Sequence, residues 1–385
     1  MSRATHEVAD VIGLFGDALL REGAVSPTRR RVMRALAACR TSQLGGHVES
    51  CDSCGFQRIA YNSCRNRHCP KCQGSRQAKW LEDRARDLLP VEYFHVVFTM
   101  PEELARIALQ NKRVVYAILF AASAATLRTI AADPEHLGAE IGFVSVLHTW
   151  GQDLRHHPHV HCVVPGGGLA ADGRWVACRP GFFLPVRVLG AMFRGKFTAQ
   201  LRAAFELGEL RFQGSLQPLH DRAAFTACLD RAMAKEWVVY SKTPFGRPEQ
   251  VLKYLARHTH RVAIGNRRIL DVDAGGVTFQ WRDRAHGNRA RAMTLPGVEF
   301  LRRFLQHVLP RGFTRLRHYG LLANRKRSTK LATCRLQLGA TMPAAVATAV
   351  APFEVADDHC PVCRVGRLLV QRWPIPRTPE VVDTS

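Results

Sequence analysis

Leu154-Arg-His-His-Pro-His-Val-His-Cys-Val-Val-Pro-Gly-Gly-Gly168 reads as a β-strand entered from a proline turn, and such a strand sends alternate side chains to opposite faces. His157, His159 and His161 then share one face, while Val160 and Cys162 turn toward a core. Two imidazoles two residues apart on a strand reach the same point in space, which makes a half-site for a divalent cation. A solvated strand edge carries the same letters, so the residues around the stretch decide its meaning.

Ile141–His148 is a second strand, joined to the histidine stretch by a short polar connection, so the two are expected as antiparallel neighbours. Tyr93–Thr99 is β-branched and aromatic, a third strand. Pro101 to Ala132 reads as one or two helices, the later one apolar and buried. Gly166–Gly168 follow a strand without the helix start that a phosphate-binding fingerprint needs, and read as a tight turn with close packing. Arg174–Cys178 is a short strand. Residues 186–236 are helical with breaks near Gly214 and Pro218, and Trp237–Tyr240 is a strand before a loop at Pro244–Pro248. Glu249–Thr259 has the pattern of an amphipathic helix, and Arg261–Ile264, Arg268–Asp271 and Val277–Trp281 read as strands. Upstream, residues 6–40 form a helical lead-in, and Ser75–Leu89 a charged helix ending at Pro90. The fold class is α+β.

Six of the twelve cysteines lie between Cys39 and Cys72. Cys51-x2-Cys54 and Cys69-x2-Cys72 are knuckles that turn paired thiolates toward an ion, and two such knuckles close a tetrahedral zinc site. Cys39, His47, Cys64 and His68 remain as ligands for a second Cys2His2 ion, so one or two structural Zn2+ are expected. Spacing does not say which cysteines share an ion. Cys360-Pro-Val-Cys363 is a third knuckle, near only His359 and the more distant Cys334, and reads as half-used or degenerate.

The 55 Lys and Arg against 32 Asp and Glu give a net charge of +23, a field that attracts polyanions, nucleic acid above all. Between Arg282 and Lys330 stand 13 basic residues against Asp283 and Glu299, nearly half of the excess. Arg58, Arg65, Arg67 and Lys71 add a basic surface among the cysteines. The start lacks the pattern of a signal peptide, and the longest apolar run, Val114–Leu127, is too short to span a bilayer. A cytoplasmic protein without membrane attachment is expected.

A histidine pair on a sheet can polarise a phosphate. The stretch lacks the HxHxD pattern of metallo-hydrolases, so the nucleophile must come from the protein. Tyr254 stands among Lys253, Arg257, His258, His260 and Arg261, cations able to stabilise a phenolate. Of the other tyrosines, Tyr61 belongs to the cysteine region, Tyr93, Tyr116 and Tyr240 read as core, and Tyr319 lies in the basic segment.

Tyr61-Asn-Ser-Cys-Arg-Asn-Arg-His-Cys-Pro-Lys-Cys72, the HPHVH stretch with its three glycines, Tyr254-Leu-Ala-Arg-His-Thr-His-Arg-Val-Ala-Ile264 and Arg317-His-Tyr-Gly-Leu-Leu-Ala-Asn324 occur in this order. From about residue 5 to about 370 the chain resembles the insertion sequence ninety-one family, rolling-circle transposases of the HUH (His-hydrophobic-His) class with an N-terminal zinc-binding domain. The resemblance implies an HUH-type central antiparallel sheet flanked by helices and preceded by a small zinc-binding domain. It divides the chain into a lead-in and zinc domain (1–90), a nuclease domain with a basic C-terminal part (91–330) and a partly disordered tail carrying the last knuckle (331–385). It implies Mg2+ or Mn2+ on His159 and His161, with Gln152 favoured over His148 and His157 as third ligand. It also implies attack by Tyr254 on single-stranded DNA, a 5′-phosphotyrosyl link and a released 3′-OH. His258 stands where two-tyrosine relatives carry a second tyrosine, which implies a single-tyrosine mechanism or an impaired copy. Arg257, Arg261, Arg317, Arg325, Lys326 and Arg327 are the expected DNA contacts, with the element's own ends and target DNA as partners. A plasmid replication initiator of the same chemistry and a non-catalytic zinc-dependent DNA-binding protein are the alternatives.

Overall fold

Ser26 and Pro27 show how the lead-in folds: the Ser26 hydroxyl accepts from the Arg29 amide and Pro27 occupies the first helical turn, a combination that starts helices efficiently. In the computed structural model, which describes residues 5–23, 25–73, 86–245, 250, 262–283, 286–339 and 359–375, this produces helices α1 (Val8–Arg21) and α2 (Pro27–Ala37). Strands β1 (Gly46–Cys51) and β2 (Gln57–Tyr61) form the cysteine region, followed by β3 (Tyr93–Thr99). Helices α3 (Ala105–Gln110) and α4 (Lys112–Ala132) lead to β4 (Gly142–Trp150) and β5 (His156–Pro165). The hairpin of β6 (Gly167–Leu169) and β7 (Trp175–Ala177) precedes α5 (Val186–Glu206), α6 (Arg222–Met233) and β8 (Val239–Phe245). Strands β9 (Ile269–Asp273), β10 (Gly276–Asp283) and β11 (Arg289–Leu295), helix α7 (Gly297–Gln306), β12 (Leu316–Gly320), α8 (Arg327–Gln337) and β13 (Leu368–Ile375) complete the order.

The central sheet runs β12-β4-β5-β3-β8, and every neighbouring pair is antiparallel. The expected pairing of β4 with β5 is therefore present. One face is apolar: Phe94, Val96, Phe98, Phe143, Leu147, Val160, Cys162 and Val164 are buried with Leu119, Phe120 and Leu127 of α4 and Phe193 and Phe197 of α5. Two thirds of the apolar window of α4 is buried inside the protein (67%), so this 21-residue helix is a core helix although its length and composition would allow it to cross a membrane. Gly167 and Gly168, expected in a tight turn, lie instead in β6, but the expected close packing is present: a Cβ on Gly168 would meet the Glu140 carbonyl oxygen at 2.5 Å, so the close approach demands glycine.

Two smaller sheets flank the centre, β11-β10-β9 and β13-β1-β2. The first packs Phe279 and Ile269 against Phe300 and Phe304 of α7 and Val8, Val11 and Ile12 of α1. The second joins the N-terminal cysteine strands to the last described strand, because β1 pairs antiparallel with β13. The expected tail from 331 onward is thus in part ordered: α8 sets Leu331 and Cys334 against Val144 and Val146 of β4, and β13 returns to the N-terminal region. Pro244-Phe245, expected as a loop, continues β8. The strand lies at the sheet edge, where a missing N–H is tolerated. Val262, Ala263 and Ile264, expected as strand, are buried without strand pairing. Ala263 and Ile264 fill the seam near Trp150 and Leu154. The expected helix Ser75–Leu89 is described only from Arg86 onward, where Arg86 and Asp87 form a turn and no helix continues, and Glu249–Thr259, save Gln250, lies outside the described residues.

Candidate metal centre and cysteine clusters

Register fixes what stands on the second face of the central sheet. His148 of β4 is paired directly with His159 of β5, and Val146 with His161; on the far side His161 pairs with Val97 of β3. Residues opposite one another share a face, so His148, His159 and His161 converge. Their ligand atoms all lie within 4.8 Å of one another. His148 and His161 are buried, His159 half-buried. The His148 ring lies 4.7 Å from Trp150, nearly parallel. His159 Nδ1 is 2.7 Å from the His157 carbonyl oxygen; a carbonyl only accepts, so Nδ1 carries the proton and the lone pair is on Nε2. His161 Nδ1 is 2.8 Å from His95 Nε2 of β3.

Three imidazoles whose ligand atoms converge could hold a divalent transition metal. The nitrogen set suits Mn2+ better than Mg2+, which prefers oxygen ligands. His148 stands as a third imidazole beside the expected pair. Gln152 sits in the turn after β4, and its carbonyl accepts from Arg268 at 2.6 Å, whereas strand register brings His148 to the pair. His157 is exposed beside the trio, its ring 5.3 Å from that of His159. Tyr240, expected in the core, is 49% exposed; it pairs with Val97 and so stands on the histidine face. Tyr254 and His258 lie outside the described residues, as do Arg257 and Arg261. His95 and His307 carried no motif signal: strand pairing places the first, and the end of α7, packed against Leu154 and Thr149, places the second.

The cysteines form two groups, and the knuckles of the N-terminal region are split between them. Cys39, Cys64, Cys69 and Cys72 have sulfurs within 4.8 Å of one another, with Cys39–Cys72 at 3.5 Å and Cys64–Cys72 at 3.6 Å. A tetrahedron with Zn–S bonds of about 2.3 Å has edges of roughly 3.8 Å, so this group fits zinc. Hydrogen bonds among the thiols hold Cys39 and Cys72 below the ordinary thiol range and push Cys64 and Cys69 above it. Cys51 and Cys54 group instead with Cys360 and Cys363, so one site shared by the two N-terminal knuckles is not formed. Neither histidine expected as a zinc ligand joins a cysteine group. His47 faces Glu49 at 3.4 Å. His68 is half-buried beside Arg67, Arg315 and Lys112, and desolvation first, then these charges, push its pKa down to about 3.

Comparison with known proteins follows the same division. A family model described as "Transposase zinc-binding domain" matches residues 11–100, and one described as "Putative transposase" matches residues 142–329. "Putative transposase y4qJ" of Sinorhizobium fredii is 54% identical over 381 residues, covering 96% of each chain. The chain belongs to the insertion sequence ninety-one family of transposases. The transposase for insertion sequence element IS801 of Pseudomonas savastanoi pv. phaseolicola is 28% identical over 319 residues, 80% of this chain and 73% of that one. Among solved structures, conjugative relaxase TrwC in complex with OriT DNA, metal-bound, is similar with a TM-score of 0.26 at 16% identity, over 65% of this chain and 73% of that chain. The metal-free complex has a TM-score of 0.25 at 15% identity, over 64% and 72%; at these scores the likeness carries no argument about this transposase.

The basic residues of the transposase divide between packing and surface. Arg67 donates to the carbonyls of Phe313 and Pro310 at 2.6 and 2.8 Å, Lys71 pairs with Glu7 and Arg58 with Glu49. Three of the four cations expected as a phosphate-touching surface among the cysteines thus have structural partners. Arg317 stacks over Phe120, 4.3 Å from its centroid, so it serves packing. Arg327 is 3.5 Å from Asp87. Arg325 and Lys326 are exposed. Arg315 is half-buried, and desolvation pulls its pKa down to about 10.

Proposed function

We propose that this transposase nicks single-stranded DNA by tyrosine attack and transfers the strand, mobilising its own element by a rolling-circle route. The observation that supports this reading most is the convergence of His148, His159 and His161 on one face of the central sheet of a transposase. A Mn2+ or Mg2+ ion on these imidazoles would neutralise charge on the scissile phosphate. Tyr254 is the nucleophile: its phenolic oxygen bonds to phosphorus, the bond from phosphorus to the 3′ oxygen breaks, and that oxygen takes a proton to become the free 3′-OH. The 5′ phosphate stays on Tyr254. His258 occupies the neighbouring position on the expected helix, so a single nucleophile acts in each round. Arg257, Arg261, Arg325 and Lys326 supply phosphate contacts, and DNA at the element's ends and at the target are the partners in the cytoplasm. The zinc-binding region is structural.

Incubation of the protein with labelled single-stranded element ends and Mn2+ tests the proposal. A covalent adduct stable to denaturing electrophoresis is expected, lost in Tyr254→Phe and in the double variant His159→Ala/His161→Ala. DNA binding with no adduct under any divalent metal would replace it with the non-catalytic DNA-binding alternative.

A further inference from the structure

We propose that Cys51, Cys54, Cys360 and Cys363 hold a second structural zinc ion, which fastens the C-terminal strand β13 to the N-terminal sheet. The ligands come from opposite ends of the chain, and Cys360 and Cys363 lie outside both matched family regions, 11–100 and 142–329. The proposal is independent of the nicking chemistry.

The geometry points to an ion on three grounds. First, the distances fit: Cys51 Sγ to Cys363 Sγ is 3.7 Å, Cys54 Sγ to Cys360 Sγ is 3.6 Å, and all four sulfurs lie within 4.8 Å of one another. These are close to the edges, roughly 3.8 Å, of a tetrahedral Zn–S4 site and far from the ~2.05 Å of a disulfide.

Second, the two loops are built alike. Each closes a knuckle on a left-handed residue, Gly55 at φ 72° and Arg364 at φ 58°. The amide of that residue donates to the carbonyl of the first cysteine, Gly55 to Cys51 and Arg364 to Cys360. Amides aim at sulfur in both: Ser53 and Cys54 at Cys51 Sγ (3.4 Å each), Gly366 at Cys363 Sγ (3.3 Å). Amides directed at sulfur stabilise thiolates, the form that binds metal. A Cβ on Gly366 would lie 2.4 Å from Cys51 Sγ, so only glycine lets the second loop close over the first.

Third, the first apolar side chains of β13 are not fully buried: Leu368 is half-buried. Leu369 and Val370 are 55% and 60% exposed, and the strand is attached by ladder bonds to β1 and by the Asp52–Arg367 loop bonds. β13 is an edge strand of a small three-stranded sheet, and a four-thiolate site with no open position adds a constraint that ties its entry to the loop after β1.

Zinc per chain, measured by native mass spectrometry on full-length His159→Ala/His161→Ala protein, which lacks the imidazole pair that could take a further ion, purified with reductant and Zn2+, tests this. Two ions are expected in this background and one when Cys360→Ser/Cys363→Ser is added. In that variant, hydrogen exchange across Leu368–Ile375 should rise while exchange in β3 and β5 stays unchanged. Titration of the metal-free wild type with Co2+ gives a readout that does not depend on the variant folding. Saturation of the thiolate charge-transfer band at two equivalents supports the proposal; saturation at one overturns it. Two zinc ions retained when Cys360→Ser/Cys363→Ser is added, or a Cys51–Cys363 or Cys54–Cys360 disulfide in the reduced preparation, would likewise overturn it.

Discussion

His95 of β3 holds His161 of β5: Nε2 and Nδ1 are 2.8 Å apart, and the rings lie parallel, 5.0 Å between centroids with 2° between planes. The relation follows from register, since His161 faces Val97 and His95 lies one step further along the same face. A ligating imidazole whose other nitrogen is held keeps its ring orientation and tautomer. His95→Ala is therefore expected to weaken Mn2+ binding by about 10–100-fold without changing the fold. Isothermal titration with Mn2+, with circular dichroism as the folding control, checks it; unchanged affinity would remove His95 from the site.

Ligand identity gives a second expectation. His148→Ala removes one of three imidazoles and should abolish measurable Mn2+ binding, while Gln152→Ala should leave it near wild type, because Gln152 reaches Arg268 through its backbone carbonyl. The reverse ranking would return the third-ligand role to Gln152.

The sequence carried the sheet well and the cysteine pairing badly, for one physical reason. Tyr93–Thr99 and the HPHVH strand announce themselves by local alternation, and the polar turn between β4 and β5 makes them partners. Zinc ligands are set by which loops meet in space: Cys51 finds Cys363 across 312 positions, and no spacing rule spans that distance. His68 shows the same limit, since its letters fit a ligand while folding places it among Arg67, Arg315 and Lys112. His148 was legible as a candidate at the end of a strand, and cross-strand register sets it beside His159.

Tyr240 on β8 is half-exposed beside the histidine face, where a single strand of DNA approaching the trio would pass. Stacking of a base on such a ring contributes about 1–3 kcal/mol, so Tyr240→Ala should weaken binding of single-stranded element ends by about 5–150-fold, with Tyr240→Trp near wild type. Fluorescence anisotropy at fixed salt measures this; equal affinities for all three proteins would assign Tyr240 to the surface alone.

Acid should destabilise the protein through buried neutral histidines. His307 Nε2 is 3.0 Å from the Leu154 carbonyl oxygen, and Nδ1 is 3.2 Å from the Thr149 hydroxyl. The carbonyl can only accept, so Nε2 donates and Nδ1 accepts from Thr149; the neutral ring is fully used, and a second proton would break the Thr149 bond. Desolvation first pushes the His307 pKa down to about 3, and the nearby Lys112 charge acts in the same direction. The unfolded chain takes up its proton near pH 6.5 and the folded chain only near 3, so unfolding is favoured as pH falls through that window. His68 and His156, both pushed down to about 3 by desolvation first, act with the same sign. For His307 alone the loss at pH 4.5 is on the order of 2–3 kcal/mol. His307→Gln can keep both hydrogen bonds, through its side-chain amide and carbonyl, without a titratable group. Its melting temperature should therefore fall less than that of the wild type between pH 6.5 and 4.5. Parallel curves for the two proteins would show that His307 is not the group that acid attacks.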